Sequence, residues 1–254
     1  MPNVTWPAAE WAPPVVSGRA VVTGFDSGHE WMLKWWHGHY KKHNDYPVYF
    51  ADFGMSPTCQ SWCRDNGTLL DLRFQCGKAN WFKKPFAMLA CQHDEIMWID
   101  LDCEVRLAIS PLFEYASKGL AVTLDPHNKW VKSKDVVASG VVAAKHGDPI
   151  VQQWALGCAN TSLRGDQEVL NQIIQQQRDK VAIMPREYQW LRLDGDNPKA
   201  TIMHWTGPAG KSQIKKQITP PVQTPQTTVR PRVAVVVKRP MQIKRISHSI
   251  RRTR

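Results

Sequence analysis

The last 43 residues of this 254-residue chain contain no aspartate and no glutamate. They carry eleven Lys and Arg, while the other 22 basic residues match all 22 acids of the chain. The formal charge of +11 therefore belongs to a tail, and the body over residues 1–211 is formally neutral. A high isoelectric point is thus no guide to the fold. No stretch approaches the ~20 consecutive apolar residues that a helical membrane span needs. The start, Met1-Pro-Asn-Val-Thr-Trp6, lacks the charged and apolar regions of a secretory leader, so a cytoplasmic location is expected. No internal repeat is visible, which sets aside solenoids and propellers. Six cysteines in such a compartment read as reduced. Cys59-x3-Cys63 with Cys76 and Cys91 lacks the spacing of a zinc knuckle or ribbon, and buried thiols are the expectation.

What is present is an alternation of short β-branched runs with helical patterns. Strands are expected near 20–24, 47–51, 68–74, 96–99, 119–123, 139–144, 181–184 and 200–204. Helices are expected over 30–42, 56–66, 81–92, 148–159 and 166–177, with Ser56 as a cap and Pro57 at the first position of the second. That order predicts an α/β sandwich around a mixed, mainly parallel sheet. A single domain is expected over 1–211. A linker should begin near Gly210 and continue through Thr219-Pro-Pro-Val-Gln-Thr-Pro-Gln-Thr-Thr-Val-Arg-Pro231, leaving 212–254 as spacer and basic tail.

Asp100-Leu-Asp102 is the most informative stretch. The apolar run Ile96-Met-Trp-Ile99 reads as a buried strand, and Asp is a poor strand residue, so the acids should lie at its carboxyl end. That is the edge where open α/β sheets bind ligands. Two carboxylates there form a hard oxygen site suited to Mn²⁺ or Mg²⁺ carrying a diphosphate. The plain alternative is a strand followed by an acidic turn.

Five further segments fall in order around this pair. Thr23-Gly24-Phe25-Asp26 ends the first strand, and Lys83-Lys84-Pro85-Phe86 precedes the acidic strand by about one helix. Ala138-Ser139-Gly140 and Gly165-Asp166-Gln167 follow, and His204-Trp-Thr-Gly207-Pro-Ala-Gly210-Lys211 closes the series. Together they resemble nucleotide-sugar glycosyltransferases of the GT-A type over roughly residues 19–211. The likeness is to the glycogenin and lipopolysaccharide galactosyltransferase group and to small phage-encoded DNA-modifying relatives.

The resemblance implies a Rossmann-like GT-A fold. It implies Mn²⁺ (or Mg²⁺) held by Asp100, Asp102 and His204. It implies a UDP-sugar donor on Thr23, Gly24, Phe25, Asp26, Lys84, Asp100, Ser139, Gly140, Gly207 and Lys211. Asp166 and Gln167 would orient the transferred sugar, with Lys211 assisting the leaving diphosphate as the third catalytic residue. The sequence departs from the family pattern at Ala138, where an Asn is usual. It also has one extra residue before Lys211 and no Pro-Trp after it. Transfer of a hexose, glucose above all, with retention is the implied reaction. Inversion would need a carboxylate at the acceptor, for which Glu187 or Asp194 are candidates that the sequence does not place.

Three readings compete for the tail. A run of Lys and Arg without acids suits DNA, so the acceptor would be a 5-hydroxymethylated pyrimidine in phage DNA, modified in the host cytoplasm. Met241, Ile243, Ile246 and Ile250 suggest instead a membrane surface, with a lipid-linked glycan or protein as acceptor. A solvated extension without a partner is the third. A DNA-binding protein on a degenerate sugar-nucleotide fold is the non-enzyme reading. The sequence does not give the oligomeric state.

Overall fold

The computed structural model describes residues 15–73, 79–129 and 135–219. In chain order the elements are β1 (Val16–Phe25), α1 (Leu33–Lys41), β2 (Val48–Asp52), α2 (Pro57–Asn66), β3 (Thr68–Asp71) and α3 (Lys84–Ala90). Then come β4 (His93–Ile99), β5 (Cys103–Val105), α4 (Ser110–Tyr115), β6 (Leu120–Leu124), β7 (Val137–Lys145) and α5 (Pro149–Asn160). The series ends with α6 (Asp166–Gln176), β8 (Val181–Ile183), β9 (Trp190–Leu191), β10 (Ile202–His204) and α7 (Gly207–Ile218).

Side-chain alternation shows why the sheet is central. Ala20 and Val22 of β1 and Ile96 and Trp98 of β4 join one apolar cluster with α3, α5 and α6. Val21, Met97 and Ile99 join the other, with α1, α2, α4 and Ile214 of α7. Strands with successive residues in two cores are covered on both faces.

The main sheet has seven strands in the order β3-β2-β1-β4-β7-β6-β8. Its pairs β3–β2, β2–β1, β1–β4 and β6–β8 are parallel, and β7 runs antiparallel to both its neighbours. The mixed, mainly parallel sandwich expected from the sequence is therefore the fold observed. In a second sheet of three strands, β5-β10-β9, β10 lies within the strand expected at 200–204, whereas β5 and β9, three and two residues long, are not expected from the sequence.

Two boundaries differ from expectation. β1 runs from Val16 through Phe25, so Thr23, Gly24 and Phe25 are strand residues and the loop starts only at Asp26. The linker does not begin near Gly210. Pro208 sits in the first turn of α7, where its missing N–H costs nothing, and the helix continues to Ile218 with Ile214 fully buried. The proline-rich spacer and basic end over 220–254 lie outside the described residues. Helix starts follow the sequence more closely. Ser56 accepts from the Cys59 N–H at 3.3 Å, and Asp148 accepts from Ile150 N–H at 2.8 Å and Val151 N–H at 3.2 Å. Among the described residues no helix is long and apolar enough to cross a membrane.

Candidate active site

β1 lies between β2, which follows it in the chain, and β4, which reaches its other side. The strand order thus reverses at β1, and a ligand crevice is expected beyond the carboxyl ends of β1 and β4. A cleft of about 450 Å³ opens there. Its lining includes Gly24, Phe25, Asp26, Lys84, Asp100, Asp102, Ser139, Gly140, Asp166, Gln167, His204, Gly207 and Lys211, so every site residue read from the sequence except Thr23. Thr23 is fully buried inside β1, which ends only at Phe25, one residue beyond the expected strand.

Asp100 follows β4 directly, and its N–H donates to the Gly140 carbonyl at 2.8 Å. One carboxylate oxygen accepts from Trp98 Nε1 at 2.6 Å and lies 3.0 Å from Lys84 Nζ. Lys84 stands at the head of α3 with only 4% of its side chain exposed. Its ammonium donates to the Ser139 carbonyl at 2.9 Å and sits 3.2 Å from Asp166 Oδ2. Burial works against this charge, but Asp100 and Asp166 outweigh it and hold the lysine pKa above its ordinary value. The Asp166 carboxyl is pushed up by its burial, against the pull of Lys84. Lys84 thus bridges two carboxylates under the cleft.

Asp102 takes different partners. β5 runs antiparallel to β10 with Cys103 opposite His204, which sets the imidazole beside Asp102. The Trp205 N–H donates to the Asp102 carbonyl at 2.9 Å and fixes the turn. His204 Nε2 lies 3.2 Å from Asp102 Oδ1, and Lys211 Nζ of α7 lies 2.8 Å from Oδ2. Burial alone would raise the Asp102 carboxyl, yet His204 and Lys211 hold it well below the usual range.

The ligand-type atoms of Asp102, Cys103 and His204 all lie within 4.8 Å of one another. Burial, with Asp100 and Asp102 nearby, pushes the Cys103 thiol far up, and its Sγ contacts the Gly140 carbonyl at 4.0 Å. A protonated thiol is a poor ligand for a hard cation. Asp100, expected as a ligand, is outside this group because Lys84 and Trp98 hold its carboxylate. The donor set is the Asp102 carboxylate, the His204 imidazole and, two positions before Asp102, the Asp100 carboxylate. That set fits Mn²⁺ or Mg²⁺ once Asp100 turns from Lys84.

At the other end of the cleft, Asp26 accepts from Asn80 Nδ2 and is paired with His29 Nδ1 at 2.8 Å. Burial opposes the charge, but these two bonds leave the Asp26 carboxyl below its ordinary value. Gly24 is needed for packing: a Cβ there would lie 2.6 Å from the ring of Phe53, which stacks on Trp98. Gly140 likewise makes room, since a Cβ would lie 2.5 Å from Gln189 Nε2 and 2.7 Å from His204 Cε1. Gly207 takes φ +75° to start α7. Gln167 donates to Asp125 Oδ2 at 2.8 Å. Through Gln167, His204 and Thr206 the cleft adjoins a second cavity of about 340 Å³ that also contains Asp125 and His127. Asp194 is not in its lining and is held by His127 Nε2 at 2.8 Å and by Arg186, while Glu187 is exposed.

Sequence reasoning missed three contributors: Asn80 on Asp26, Trp98 on Asp100, and Gln189, whose Nε2 lies 3.0 Å from His204 Nδ1. Trp98 had a signal, because a residue two before Asp100 in a strand shares its face. Gln189 had none. Cys59, Cys63, Cys91, Cys103 and Cys158 are buried free thiols, and Cys76 lies outside the described residues.

The fold, a mixed α/β sandwich, matches that of GT-A glycosyltransferases of known structure. The glycosyltransferase GlyE of Streptococcus pneumoniae TIGR4 matches with a TM-score of 0.57 at 17% identity, covering 76% of this chain and 55% of GlyE. The galactosyltransferase LgtC, solved in complex with donor and acceptor sugar analogues, matches with a TM-score of 0.54 at 13% identity, covering 75% of this chain and 88% of LgtC. Mouse xyloside xylosyltransferase 1 in its apo form gives 0.54 at 11% identity, covering 74% of this chain and 97% of that protein. No family model and no curated protein matches the sequence. The likeness establishes the fold. The chemistry rests on the residues.

Proposed function

We propose that this chain is a metal-dependent glycosyltransferase that moves a hexose, glucose in the first instance, from a UDP-sugar to a hydroxyl acceptor. The observation that carries the reading is the convergence of Asp102, His204 and Lys211 beside the Asp100–Lys84–Asp166 bridge in one cleft. A divalent cation held by Asp102 and His204, with Asp100 beside them, supplies Lewis-acid neutralisation of the leaving diphosphate. Lys211 adds a positive charge at the same end, and the N-terminus of α7, with Gly207 in the lining, offers its helix dipole to phosphate oxygens. Asp26, with Asn80 and His29, provides polar groups for the uridine. Asp166 and Gln167 are the groups proposed to orient hydroxyls of the sugar, with Lys84 holding Asp166 in place at 3.2 Å.

Retention is the stereochemistry proposed, with the leaving phosphate accepting the acceptor's proton. Asp194, the alternative base, is already engaged by His127 and Arg186. The second cavity, next to Gln167, is the proposed acceptor side. The proposed acceptor is a 5-hydroxymethylated pyrimidine in DNA, in keeping with a phage gene product working in its host's cytoplasm. Eleven Lys and Arg without a single acid over 212–254 support a polyanionic partner.

The test incubates the full chain and Mn²⁺ with UDP-glucose and, separately, hydroxymethylated DNA, lipopolysaccharide core or a protein acceptor, reading mass. A hexose added to the DNA is the expected result. A hexose added only to glycan or protein would move the acceptor to the membrane-surface reading. No UDP release from any common UDP-sugar would overturn the transferase reading itself.

A further inference from the structure

Gln189 lies just before β9, which pairs in parallel with β10 so that Leu191 faces His204. Its side chain is buried, with 1% of the residue exposed. The pairing of β6 with β7 shifts register between Val122 and Leu124, which leaves Thr123 and Val141 without each other as ladder partners. The Gln189 amide fills that gap. Its Oε1 accepts from Val141 N–H at 3.0 Å and from Thr123 Oγ1 at 3.1 Å.

A backbone N–H can only donate, so the atom facing Val141 must be the amide oxygen. The opposite end is then the NH₂, 3.0 Å from His204 Nδ1. An NH₂ also only donates, so Nδ1 holds its lone pair and the ring proton sits on Nε2, toward Asp102 Oδ1 at 3.2 Å. Burial disfavours and Asp102 favours an imidazolium here, with the net direction upward. A second ring proton would nevertheless point straight at the Gln189 NH₂. Gly140 shows that the contact is tight, because no side chain fits against this amide and ring.

A metal-ligating histidine donates its other ring N–H to an acceptor. Gln189 offers His204 a donor instead. Resting on the cation site proposed above, we propose that Gln189 is a positioning residue that sets the tautomer of His204 and gates its use as a ligand. For Nε2 to meet a cation, the amide must turn over so that Oε1 accepts from Nδ1–H, and Val141 N–H then loses its acceptor. The residue therefore holds cation affinity below what the ligands alone would give. A glutamate at 189 removes the conflict, since one oxygen accepts from Val141 and Thr123 and the other from Nδ1–H.

The test uses full-length protein with ¹⁵N-labelled histidine. The His204 tautomer is read by ¹⁵N–¹H correlation without metal, and Mn²⁺ affinity is read by electron paramagnetic resonance titration. Wild type should show an unprotonated Nδ1 and a protonated Nε2. Gln189→Glu should place the proton on Nδ1 and tighten Mn²⁺ binding by on the order of tenfold, the size of effect that hydrogen-bond partners of metal ligands have. Gln189→Met, which neither donates nor accepts at Nδ1, should release the tautomer preference and serves where the glutamate variant does not fold. A protonated Nδ1 in the wild type, or a tautomer indifferent to both substitutions, would overturn the proposal. No Mn²⁺ binding in any variant would overturn the gating and the cation site together. Normal Mn²⁺ titrations without donor hydrolysis would count against the transferase reading alone.

Discussion

At the scale of single residues, the site is organised by two lysines that divide two neighbouring aspartates. Lys84 takes Asp100 and Lys211 takes Asp102, so acids one residue apart face different parts of the cleft. Lys84 is buried and bridges two carboxylates, so its loss leaves uncompensated charge. Lys84→Met is expected to destabilise the fold by about 3–5 kcal/mol, the usual cost of removing one partner of a buried pair, read as a lowered urea midpoint at unchanged slope. Gly140→Ala should displace the His204 ring and the Gln189 amide, costing about 1–3 kcal/mol in the same assay and weakening Mn²⁺ binding in titration. The acids themselves were legible because Asp interrupts an apolar strand. Their partners were not, since Lys84 and Lys211 arrive from 16 and 109 residues away. From the sequence Asp100 reads as a free carboxylate, because a lone sequence hides the Lys84 ammonium that pairs with it.

At the scale of elements, strand pairing makes the site. β5 and β10 are only three residues each, yet their antiparallel register is what brings His204 beside Asp102. The strand at 200–204 is readable, but β5 carries no periodic signal, so the pairing that sets His204 beside Asp102 is not. Caps were readable from residue type. Asp148→Ala is expected to cost about 1 kcal/mol of stability in denaturant unfolding and to leave donor hydrolysis unchanged, since α5 starts away from the cleft. α7 shows the opposite case. Its glycines and proline read as the start of a linker, whereas Pro208 opens a helix and Gly210 packs where a Cβ would lie 1.9 Å from the Trp205 carbonyl oxygen. A chain ending at Thr219 should therefore match the full chain in urea. One ending at Lys211 should unfold earlier by roughly the ~1.5–3 kcal/mol of burying an isoleucine, because Ile214 goes with it.

At the scale of the whole molecule, the excess charge is segregated from the formally neutral body. The nine Lys and Arg over 220–254 face no acid in that segment. If they bind phosphates, removing 220–254 should weaken affinity for duplex DNA and flatten its salt dependence, by at most about 0.9 per lost contact in a plot of log affinity against log salt. Fluorescence anisotropy across a salt series reads this directly, and donor hydrolysis should survive. Affinity and slope unchanged by the truncation would remove the tail from the account. The sandwich itself was readable from composition, because buried β-branched runs alternating with helices leave few other architectures.

The claim on which the rest depends is that Asp102 holds a cation for a leaving diphosphate. It is tested by UDP release from a UDP-sugar with and without Mn²⁺, in wild type and in Asp102→Ala. The prediction is release that requires Mn²⁺ and falls by at least about 10²-fold in the variant, the scale on which losing a preorganised electrostatic group acts. Release that is indifferent to both the metal and the substitution would contradict it.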